Sequence, residues 1–193
     1  MDTGSFIFSC FLTLFAYGLG SISGAIITCQ AFSLSDPRSS GSKNPGATNV
    51  YRIGGSTPAT ITLIFDSLKG AVPVYISVLS ELPALAQGIV ALAAIIGHMY
   101  PVYYHFKGGK GVATTLGAGL ILSPLTTLFI TACWVAVARK VRISSIASLT
   151  AAALAPFTAY VLDPSYTLAY GILSVMIIIR HKNNIAGLLT QNE

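Results

Sequence analysis

The feature that most constrains this chain is a series of long stretches without a charged side chain. None lies between Asp2 and Asp36, and none lies between Lys110 and Arg139. Charged residues make up 9% of the chain, whereas soluble proteins use roughly a quarter. A stretch of about 20 apolar residues is long enough to cross a bilayer as a helix. The sequence therefore predicts an all-α integral membrane protein.

Charged and turn-forming residues divide the apolar sequence into candidate spans. These fall near 5–30, 56–79, 83–101, 111–138, 144–162 and 165–179. Basic residues follow the first, third, fourth and last of these stretches, and the positive-inside rule places the loops that carry them in the cytoplasm. For both ends of the fourth stretch to lie on that side, the stretch must cross twice, with a turn at Ser123-Pro124.

This arrangement predicts a bundle of seven transmembrane helices, some of them short or broken, with the N-terminus outside and the C-terminus in the cytoplasm. Two crossings within 111–138 would each be shorter than a full span, which is tolerated where a helix lines protein instead of lipid. The alternative is one crossing there, with basic residues on the outer side. No linker, low-complexity segment or repeat interrupts the chain, so we expect a single domain over residues 1–193.

Two short polar segments contrast with the apolar background, SGSKNPGATN at 40–49 and HFKGGKG at 105–111. Glycine lets a backbone approach an anion closely with its N–H groups turned inward, and lysine adds a point charge. Both segments fall in predicted cytoplasmic loops. They indicate a protein that binds phosphorylated molecules at the membrane surface, and nothing in them points to nucleic acid.

The second segment does not match a nucleotide P-loop. Lys110 is followed by glycine and valine, whereas the Walker pattern requires Ser or Thr directly after Gly-Lys. No metal site is expected either, since His98, His105 and His181 lie far apart and acidic residues are few. None of these histidines belongs to a His-x-x-x-x-Asp pattern, so a general base of that kind is missing.

Two intramembrane charges and two histidines call for an interpretation of their own. Asp66 and Lys69 lie three residues apart and so share one helix face. We expect them to form a structural ion pair that supports the cytoplasmic loops, with a catalytic pair as the alternative. His98 is expected to be a packing or interface residue, whereas His181, next to Arg180 in a polar tail, is the better candidate for function.

Six motifs follow one another from about residue 17 to the end of the chain. They are GSIS at 20–23, DPR at 36–38, SGSKNPGATN at 40–49, GHxxP at 97–101, FKGGKGVAT at 106–114 and RHxxNI at 180–185. In order and spacing they closely resemble the bacterial acyl-phosphate:glycerol-3-phosphate acyltransferases of the PlsY type.

The resemblance implies a seven-span enzyme of the bacterial inner membrane with its active site on the cytoplasmic side. It would transfer a fatty acyl group from acyl phosphate to the sn-1 hydroxyl of glycerol 3-phosphate, giving lysophosphatidic acid and phosphate in phospholipid biosynthesis. Acyl carrier protein and coenzyme A thioesters would not be donors, and no cofactor would be needed. The expected partners are the two substrates, membrane lipid and the enzyme that produces acyl phosphate.

Following this resemblance, we assign the phosphate of glycerol 3-phosphate to the polar side chains of Arg38, Lys110, His181, Asn184 and Ser145, of which the first four are the candidate catalytic residues. The acyl phosphate headgroup is assigned to a glycine-lined cradle of Gly41, Ser42, Gly46, Thr48, Asn49, Gly108 and Gly109, with Asn44 and Lys107 as further substrate-binding candidates. The acyl chain would lie between helices, facing lipid. The hydroxyl proton would pass to the substrate's own phosphate, with His181 as the rival acceptor.

Three positions depart from the family pattern. Lys43 stands where the family usually has glycine, Ser23 where it often has proline, and Gly187 where it often has arginine. A side chain at 43 would either alter the local turn or add a phosphate contact. On the residues alone a second function class stays open, a small transporter or flippase for an organic phosphate, because short broken helices and intramembrane charges also occur in transporters.

Overall fold

The computed structural model describes residues 2–190, and within them the chain is helical, with no β-strand. The α-helices are, in chain order, α1 Thr3–Gly20, α2 Gly24–Ala31, α3 Ala47–Gly54, α4 Ser56–Leu79, α5 Ala84–Met99, α6 Val112–Leu122, α7 Pro124–Val141, α8 Ser144–Leu162, α9 Thr167–Arg180 and α10 Lys182–Leu189. Short 3₁₀ turns lie at Val102–Tyr104 and Pro164–Tyr166. The all-α prediction is confirmed for this part of the chain.

Among the described helices, five segments are long and apolar enough to cross a membrane. They are Thr3–Ala31, Ser56–Leu79, Ala84–Tyr104, Pro124–Val141 and Ser144–Leu162. Large apolar side chains point outward along them; Leu14 is 73% exposed and Phe157 is 72% exposed. A surface this rich in apolar side chains marks contact with lipid. The protein is therefore a multi-pass membrane protein.

The chain divides into two compact units, Met1–Leu122 and Ser123–Glu193. The boundary coincides with the break predicted at Ser123-Pro124, because α6 ends at Leu122 and α7 begins at Pro124. Proline starts a helix well but cannot continue one, since it lacks an N–H and its ring clashes with the preceding turn. The break is thus confirmed, whereas a single domain over residues 1–193 stays a prediction.

Within the first unit, glycines let two pairs of helices approach closely. A side chain at Gly20 of α1 or at Gly97 of α5 would overlap the backbone of the other helix, and one at Gly117 of α6 would overlap the backbone of α4 at Ser67. Small residues at such crossings are a usual basis of helix association in lipid. Gly20, Gly97 and Gly117 therefore serve the packing of these helices.

The first predicted span is interrupted. We expected a span near 5–30, and within it α1 ends at Gly20 and α2 begins at Gly24, so the residues between them are not in a regular helix. Ser23 caps α2, its hydroxyl accepting a hydrogen bond from the N–H of Ile26 at 3.3 Å. The predicted span thus agrees with an apolar segment, Thr3–Ala31, that is long enough to cross a membrane, and the structure adds a break within it at the serines.

The predicted ion pair of α4 bonds the backbone of this break. Lys69 Nζ lies 2.8 Å from Asp66 Oδ1 and donates to the carbonyl of Ile22 at 2.7 Å. The N–H of Gly24 donates to the same Asp66 oxygen at 3.1 Å. Non-helical backbone at membrane depth must find its hydrogen bonds within the protein. The pair between Asp66 and Lys69 is confirmed, and it supplies these bonds.

The second unit packs α7, α8 and α9 around a small core that contains Ile130, Ala155, Ala159 and Tyr170. The hydroxyl groups of Tyr170 and Thr127 lie 2.7 Å apart within it. The short connection at 163–166 joins α8 to α9, which pack against each other. The two helices are therefore antiparallel neighbours, and the beginning of α8 lies at the same end of the unit as the end of α9.

Candidate functional site

The first predicted phosphate loop is organised by one buried side chain, Asn49 in the first turn of α3. Its Oδ1 accepts a hydrogen bond from the N–H of Ser42 at 2.8 Å, and its Nδ2 donates to the carbonyls of Pro37 at 2.9 Å and Ser40 at 3.0 Å. Gly41 adopts a φ of +60°, and a Cβ there would overlap Asn49 Oδ1. The amide satisfies backbone groups that the loop leaves outside secondary structure. Asn49 therefore shapes the loop, and its direct contact with substrate stays a prediction.

Arg38 is held near the start of this loop by a bidentate ion pair. Its Nε donates to both oxygens of Asp36, at 3.1 and 3.2 Å, and its Nη2 donates to Oδ2 at 2.7 Å. The guanidinium carbon also lies 5.8 Å from the ring centroid of Tyr104. The side-chain hydrogen bond between the two residues lowers the pKa of Asp36 and raises that of Arg38. The carboxylate thus stays ionised and orients a guanidinium, of whose five N–H donors three are not used by Asp36 and suit phosphate recognition.

The second loop, residues 105–111, folds back over the C-terminal end of α5. The N–H of Gly109 donates to the carbonyl of His98 at 3.1 Å, one of the carbonyls that a helix end leaves without an intrahelical partner. A Cβ at Gly108 would overlap that carbonyl, and one at Gly109 would overlap the imidazole of His98. Both glycines are therefore required by the space available to them.

The two loops meet within the first unit. A Cβ on Gly109 would lie 3.0 Å from the carbonyl oxygen of Pro45 in the first loop, and Arg38 lies over Tyr104, just before the second loop. Glycines of both loops are predicted to form one cradle. The structure brings those segments together, with basic side chains and backbone amides from each.

The other predicted residues of the first unit differ in exposure. Those that are exposed are Ser42, Thr48 and Lys107, and those that are half-buried are Asn44, Gly46 and Lys110. Exposed groups of this kind are open to a ligand that approaches from outside the helices. The half-buried ones are part of the loop structure as well as candidates for binding.

Lys43 explains one departure from the family pattern. It is exposed and has a φ of +57°, in the left-handed region where glycine is the favoured residue. Lysine is therefore held in a backbone conformation that glycine would adopt without strain. Both interpretations of this departure, an altered turn and a phosphate contact, stay predictions.

The second unit carries its predicted residues at one end. Ser145 is buried in the first turn of α8, and α9 ends at Arg180, next to His181. Asn184 follows on α10, three residues beyond His181 and thus on the same helix face. Because α8 and α9 are antiparallel, Ser145 lies at the end of the unit that carries His181 and Asn184.

His181 has a defined ring orientation. It is 2% exposed, and its Nδ1 lies 2.8 Å from the carbonyl oxygen of Ile177. Because a carbonyl oxygen only accepts, Nδ1 carries the proton, and in the neutral ring the lone pair belongs to Nε2. This tautomer suits a role as hydrogen-bond or proton acceptor at Nε2.

Comparison with known proteins shows the family of this chain. The family model for glycerol-3-phosphate acyltransferase matches residues 10–191, which include both loops and His181. The chain belongs to the glycerol-3-phosphate acyltransferase family. The glycerol-3-phosphate acyltransferase of Hahella chejuensis is 54% identical over 181 residues, covering 94% of this chain and 93% of that protein. The one from Shewanella woodyi is 48% identical over 182 residues, covering 94% and 90%.

Solved structures of PlsY (YgiH), an integral membrane glycerol 3-phosphate acyltransferase, are similar over the same length. The glycerol 3-phosphate form has a TM-score of 0.91 at 38% identity and covers 96% of this chain and 94% of its own. The lysophosphatidic acid form has a TM-score of 0.89 at 37% identity, with coverages of 96% and 93%. The resemblance to the PlsY-type members of the family is confirmed.

Two contacts at the loops were not among the predicted features. Asp36 stands two residues before Arg38, and this spacing of opposite charges in one loop was a usable signal for their pairing. The contact between His98 and Gly109 has no such signal, because it depends on where α5 ends and how the second loop folds back. His98 is a packing residue, as predicted, but the group it packs against is the loop.

Proposed function

We propose that this protein transfers a fatty acyl group from acyl phosphate to the sn-1 hydroxyl of glycerol 3-phosphate, producing lysophosphatidic acid and phosphate. Family membership supports acyl transfer to glycerol 3-phosphate, and the similar solved structures are of glycerol 3-phosphate and lysophosphatidic acid forms. Acyl phosphate as the donor is proposed because the resemblance to the PlsY type implies it. Its leaving group is itself a phosphate, so the reaction needs two anion sites close together.

The observation that carries this proposal is the meeting of the two loops, where a Cβ on Gly109 would lie 3.0 Å from the Pro45 carbonyl. Each loop has a basic side chain, Arg38 just before the first loop and Lys110 in the second. The nearby carboxylate of Asp36 is neutralised by its bidentate pair with Arg38, which limits repulsion of an incoming phosphate.

The chemistry requires little activation of the donor. The sn-1 hydroxyl oxygen attacks the acyl carbonyl carbon, the bond from that carbon to the phosphate oxygen breaks, and phosphate leaves with the electron pair. Holding the two reactants in the correct orientation supplies on the order of 7–11 kcal/mol. The hydroxyl proton passes to a phosphate oxygen of the substrate, and Nε2 of His181 is the rival acceptor. Replacement of His181 by glutamine separates them, since substantial kcat in that variant would argue against histidine as the base.

We further propose that residues of both units serve this reaction, so that residues 1–193 act as one acyltransferase domain. Arg38, Lys110, His181, Asn184 and Ser145 would act on glycerol 3-phosphate. The glycine-lined loops would hold the acyl phosphate headgroup. The match of one family model across residues 10–191, and hence across both units, supports this proposal.

The first test is a reaction with purified protein in detergent or lipid cubic phase, without added metal. Palmitoyl phosphate and glycerol 3-phosphate are supplied, and phosphate release and lysophosphatidic acid are followed together, with palmitoyl-CoA as the comparison donor. We expect turnover with palmitoyl phosphate and none with palmitoyl-CoA, and a product acylated at sn-1. Turnover with palmitoyl-CoA but not with palmitoyl phosphate would overturn acyl phosphate as the donor. No turnover by folded protein with either donor would favour the transporter alternative.

We propose a seven-span arrangement in the inner membrane with both loops on the cytoplasmic side. Besides the five long segments, two shorter apolar segments, Val112–Leu122 and Pro164–Arg180, are available as spans. A helix of 11 residues is about 16 Å long, about half the hydrocarbon thickness. Val112–Leu122 must therefore be covered by protein for much of its length, and its close packing against α4 fits this requirement.

The number of crossings can be tested by cysteine labelling in a variant whose native cysteines are replaced, since Cys10 is exposed. With seven spans, a cysteine at Asp163 is labelled by a membrane-impermeant maleimide in intact spheroplasts, and one at Arg142 only after permeabilisation. The reverse pattern would show a single crossing in 111–138.

The enzyme that makes acyl phosphate is expected to act beside this protein, because a reactive anhydride is best used close to its source.

A further inference from the structure

A buried polar cluster in the first unit lies between the break in the first span and the second loop. Asp66 Oδ1 lies 2.8 Å from Lys69 Nζ and 3.8 Å from Nδ1 of His98. The side chains of these three residues are only 1%, 2% and 5% exposed, in the order Asp66, Lys69 and His98. Isolated buried charges are costly, so a cluster retained here calls for a role. The proposed chemistry uses none of the three.

His98 joins this cluster to the glycine loop. While Nδ1 faces Asp66, the opposite edge of the ring faces Gly109, where a Cβ would overlap Nε2 and lie 2.9 Å from Cε1. The main chain of His98 contacts the same glycine, because its carbonyl accepts the Gly109 N–H at 3.1 Å. One residue thus contacts Gly109 through both its side chain and its backbone.

A loop built from glycine needs such support. Glycine has no side chain that could fix its position, and it loses more conformational freedom on ordering than any other residue. The position of Gly108 and Gly109 must therefore come from the groups around them. His98 lies at the end of a helix, and the carboxylate of Asp66 lies 3.8 Å from the other edge of its ring.

We propose that His98 is a positioning residue that sets where Gly108 and Gly109 lie against Pro45, with the Asp66–Lys69 pair as its anchor. The inference rests on the proposed function, in which these glycines help to hold the acyl phosphate headgroup. The buried cluster then has two connected roles. It bonds the broken first span, and through His98 it places a substrate-binding loop at the membrane surface.

The first test separates positioning from a general loss of stability. His98→Ala is compared with Gln87→Ala, which also shortens a buried polar side chain of α5 but lies near the other end of that helix. We expect His98→Ala to raise the KM for palmitoyl phosphate about tenfold, with kcat within about threefold of wild type. Gln87→Ala should leave both constants within about twofold. An unchanged KM in folded His98→Ala protein would overturn the proposal.

The second test uses the two glycines as a matched pair. Gly109→Ala places its methyl group against the His98 ring, whereas Gly108→Ala places it against the backbone carbonyls of His98 and Met99 and the ring of Pro101. Removing the ring should therefore relieve only the first clash. We compare the factor by which Gly109→Ala lowers kcat/KM in wild type and in the His98→Ala background, and we expect this factor to be at least five times smaller in His98→Ala. For Gly108→Ala we expect the same factor in both backgrounds.

Equal costs of Gly109→Ala in the two backgrounds would overturn the positioning role. The wild type and Gln87→Ala keep this result distinct from a failure of the proposed function. If neither turns over palmitoyl phosphate, the donor is wrong. If both turn it over and Gly109→Ala has the same cost in the two backgrounds, the proposed reaction is supported and the positioning role of His98 is overturned. Thermal unfolding of every variant confirms that folded protein is compared.

Discussion

The two loops of the first unit are ordered by different means. In the first, the side chain of Asn49 bonds backbone groups seven to twelve residues away in the same segment. In the second, the contacts come from His98 at the end of α5, and His98 in turn lies beside Asp66 of α4. The first loop is therefore organised locally, whereas the second takes its position from the packed helices.

This difference predicts which loop loses order in a given variant. A substitution in the helix interior should disorder the second loop more than the first, and a substitution within the first loop should disorder only that loop. Two backbone amides report on the two loops separately, because the N–H of Ser42 is bonded to Asn49 and the N–H of Gly109 is bonded to His98. Hydrogen exchange at these amides measures the two loops independently.

The largest expected effect comes from Lys69→Ala. It leaves the buried Asp66 carboxylate without its cation, and removal of one partner of a buried pair costs about 3–5 kcal/mol in the free energy of unfolding. Denaturant titration in detergent measures this cost, and exchange should rise at Gly109 more than at Ser42. The double variant Asp66→Asn with Lys69→Met is the control and should lose less. A loss under about 1 kcal/mol in Lys69→Ala would contradict the prediction.

Asn49→Ala should produce the opposite pattern. It removes the partners of the Ser42 N–H and of two carbonyls, at a cost of about 2 kcal/mol in the free energy of unfolding, and exchange should rise at Ser42 while Gly109 stays protected. Asn49→Asp keeps an acceptor for Ser42 but loses both donors, so it should not restore the loop. Equal exchange at the two amides in Asn49→Ala would show that the loops are not independent.

Asp36→Asn should change catalysis more than stability. The pair with Arg38 is partly exposed, with side chains 40% and 31% accessible, so its contribution to stability is under about 1 kcal/mol. The loss of a charged, bidentate partner leaves Arg38 less well oriented, and we expect KM for glycerol 3-phosphate to rise about fivefold. Steady-state kinetics measure this rise, and an unchanged KM would mean that Arg38 is positioned by other groups, such as Tyr104.

The same pair predicts a pH dependence of defined sign. The pKa of Asp36 lies below its ordinary value of 3.8 in the folded protein, chiefly because of the hydrogen bond from Arg38. The stability it contributes is therefore complete above about pH 4 and lost as the pH falls through the lower folded value. Wild type and Asp36→Asn should differ in the slope of unfolding free energy only below about pH 4. A difference in slope between pH 5 and 7 would contradict this assignment.

The smallest effect is expected for Lys43→Gly, which should stabilise the protein by about 0.5–1 kcal/mol, because the φ of +57° is strained for lysine and not for glycine. Lys43→Ala keeps the strain and removes the charge, so it separates the two properties. If the ammonium contacts phosphate, both variants raise KM alike while only the glycine variant is stabilised. Thermal unfolding and KM for each substrate together decide the result.

Much of the architecture followed from local properties of the chain. Apolar length and the scarcity of charge predicted helices in a membrane, and proline after Ser123 predicted the break between α6 and α7. Glycine, lysine and asparagine in two short segments predicted the loops that the structure brings together. The three-residue spacing of Asp66 and Lys69 predicted their pair. Each of these signals lies within one segment and depends on geometry that a short piece of chain already has.

Other features escaped prediction because they depend on contacts between segments. The break between Gly20 and Gly24 is stable only because α4 supplies partners for its backbone, and an apolar sequence does not show which helix will do so. The role of Asn49 as the organiser of its own loop was hidden among several polar residues of similar type. Only the folded loop shows that its amide forms hydrogen bonds with three backbone groups.

The sequence by itself determined the membrane class, the positions of the apolar helices, the two loops rich in glycine and lysine, and the family, because all of these follow from local composition and motif order. Only the tertiary structure decided which groups hold the loops in place. His98 and Asp66 meet because α4 and α5 pack in one unit, and Gly109 meets Pro45 because the second loop folds back over the end of α5 and reaches the first loop. Packing decides such contacts, and it depends on the shapes of all the helices together.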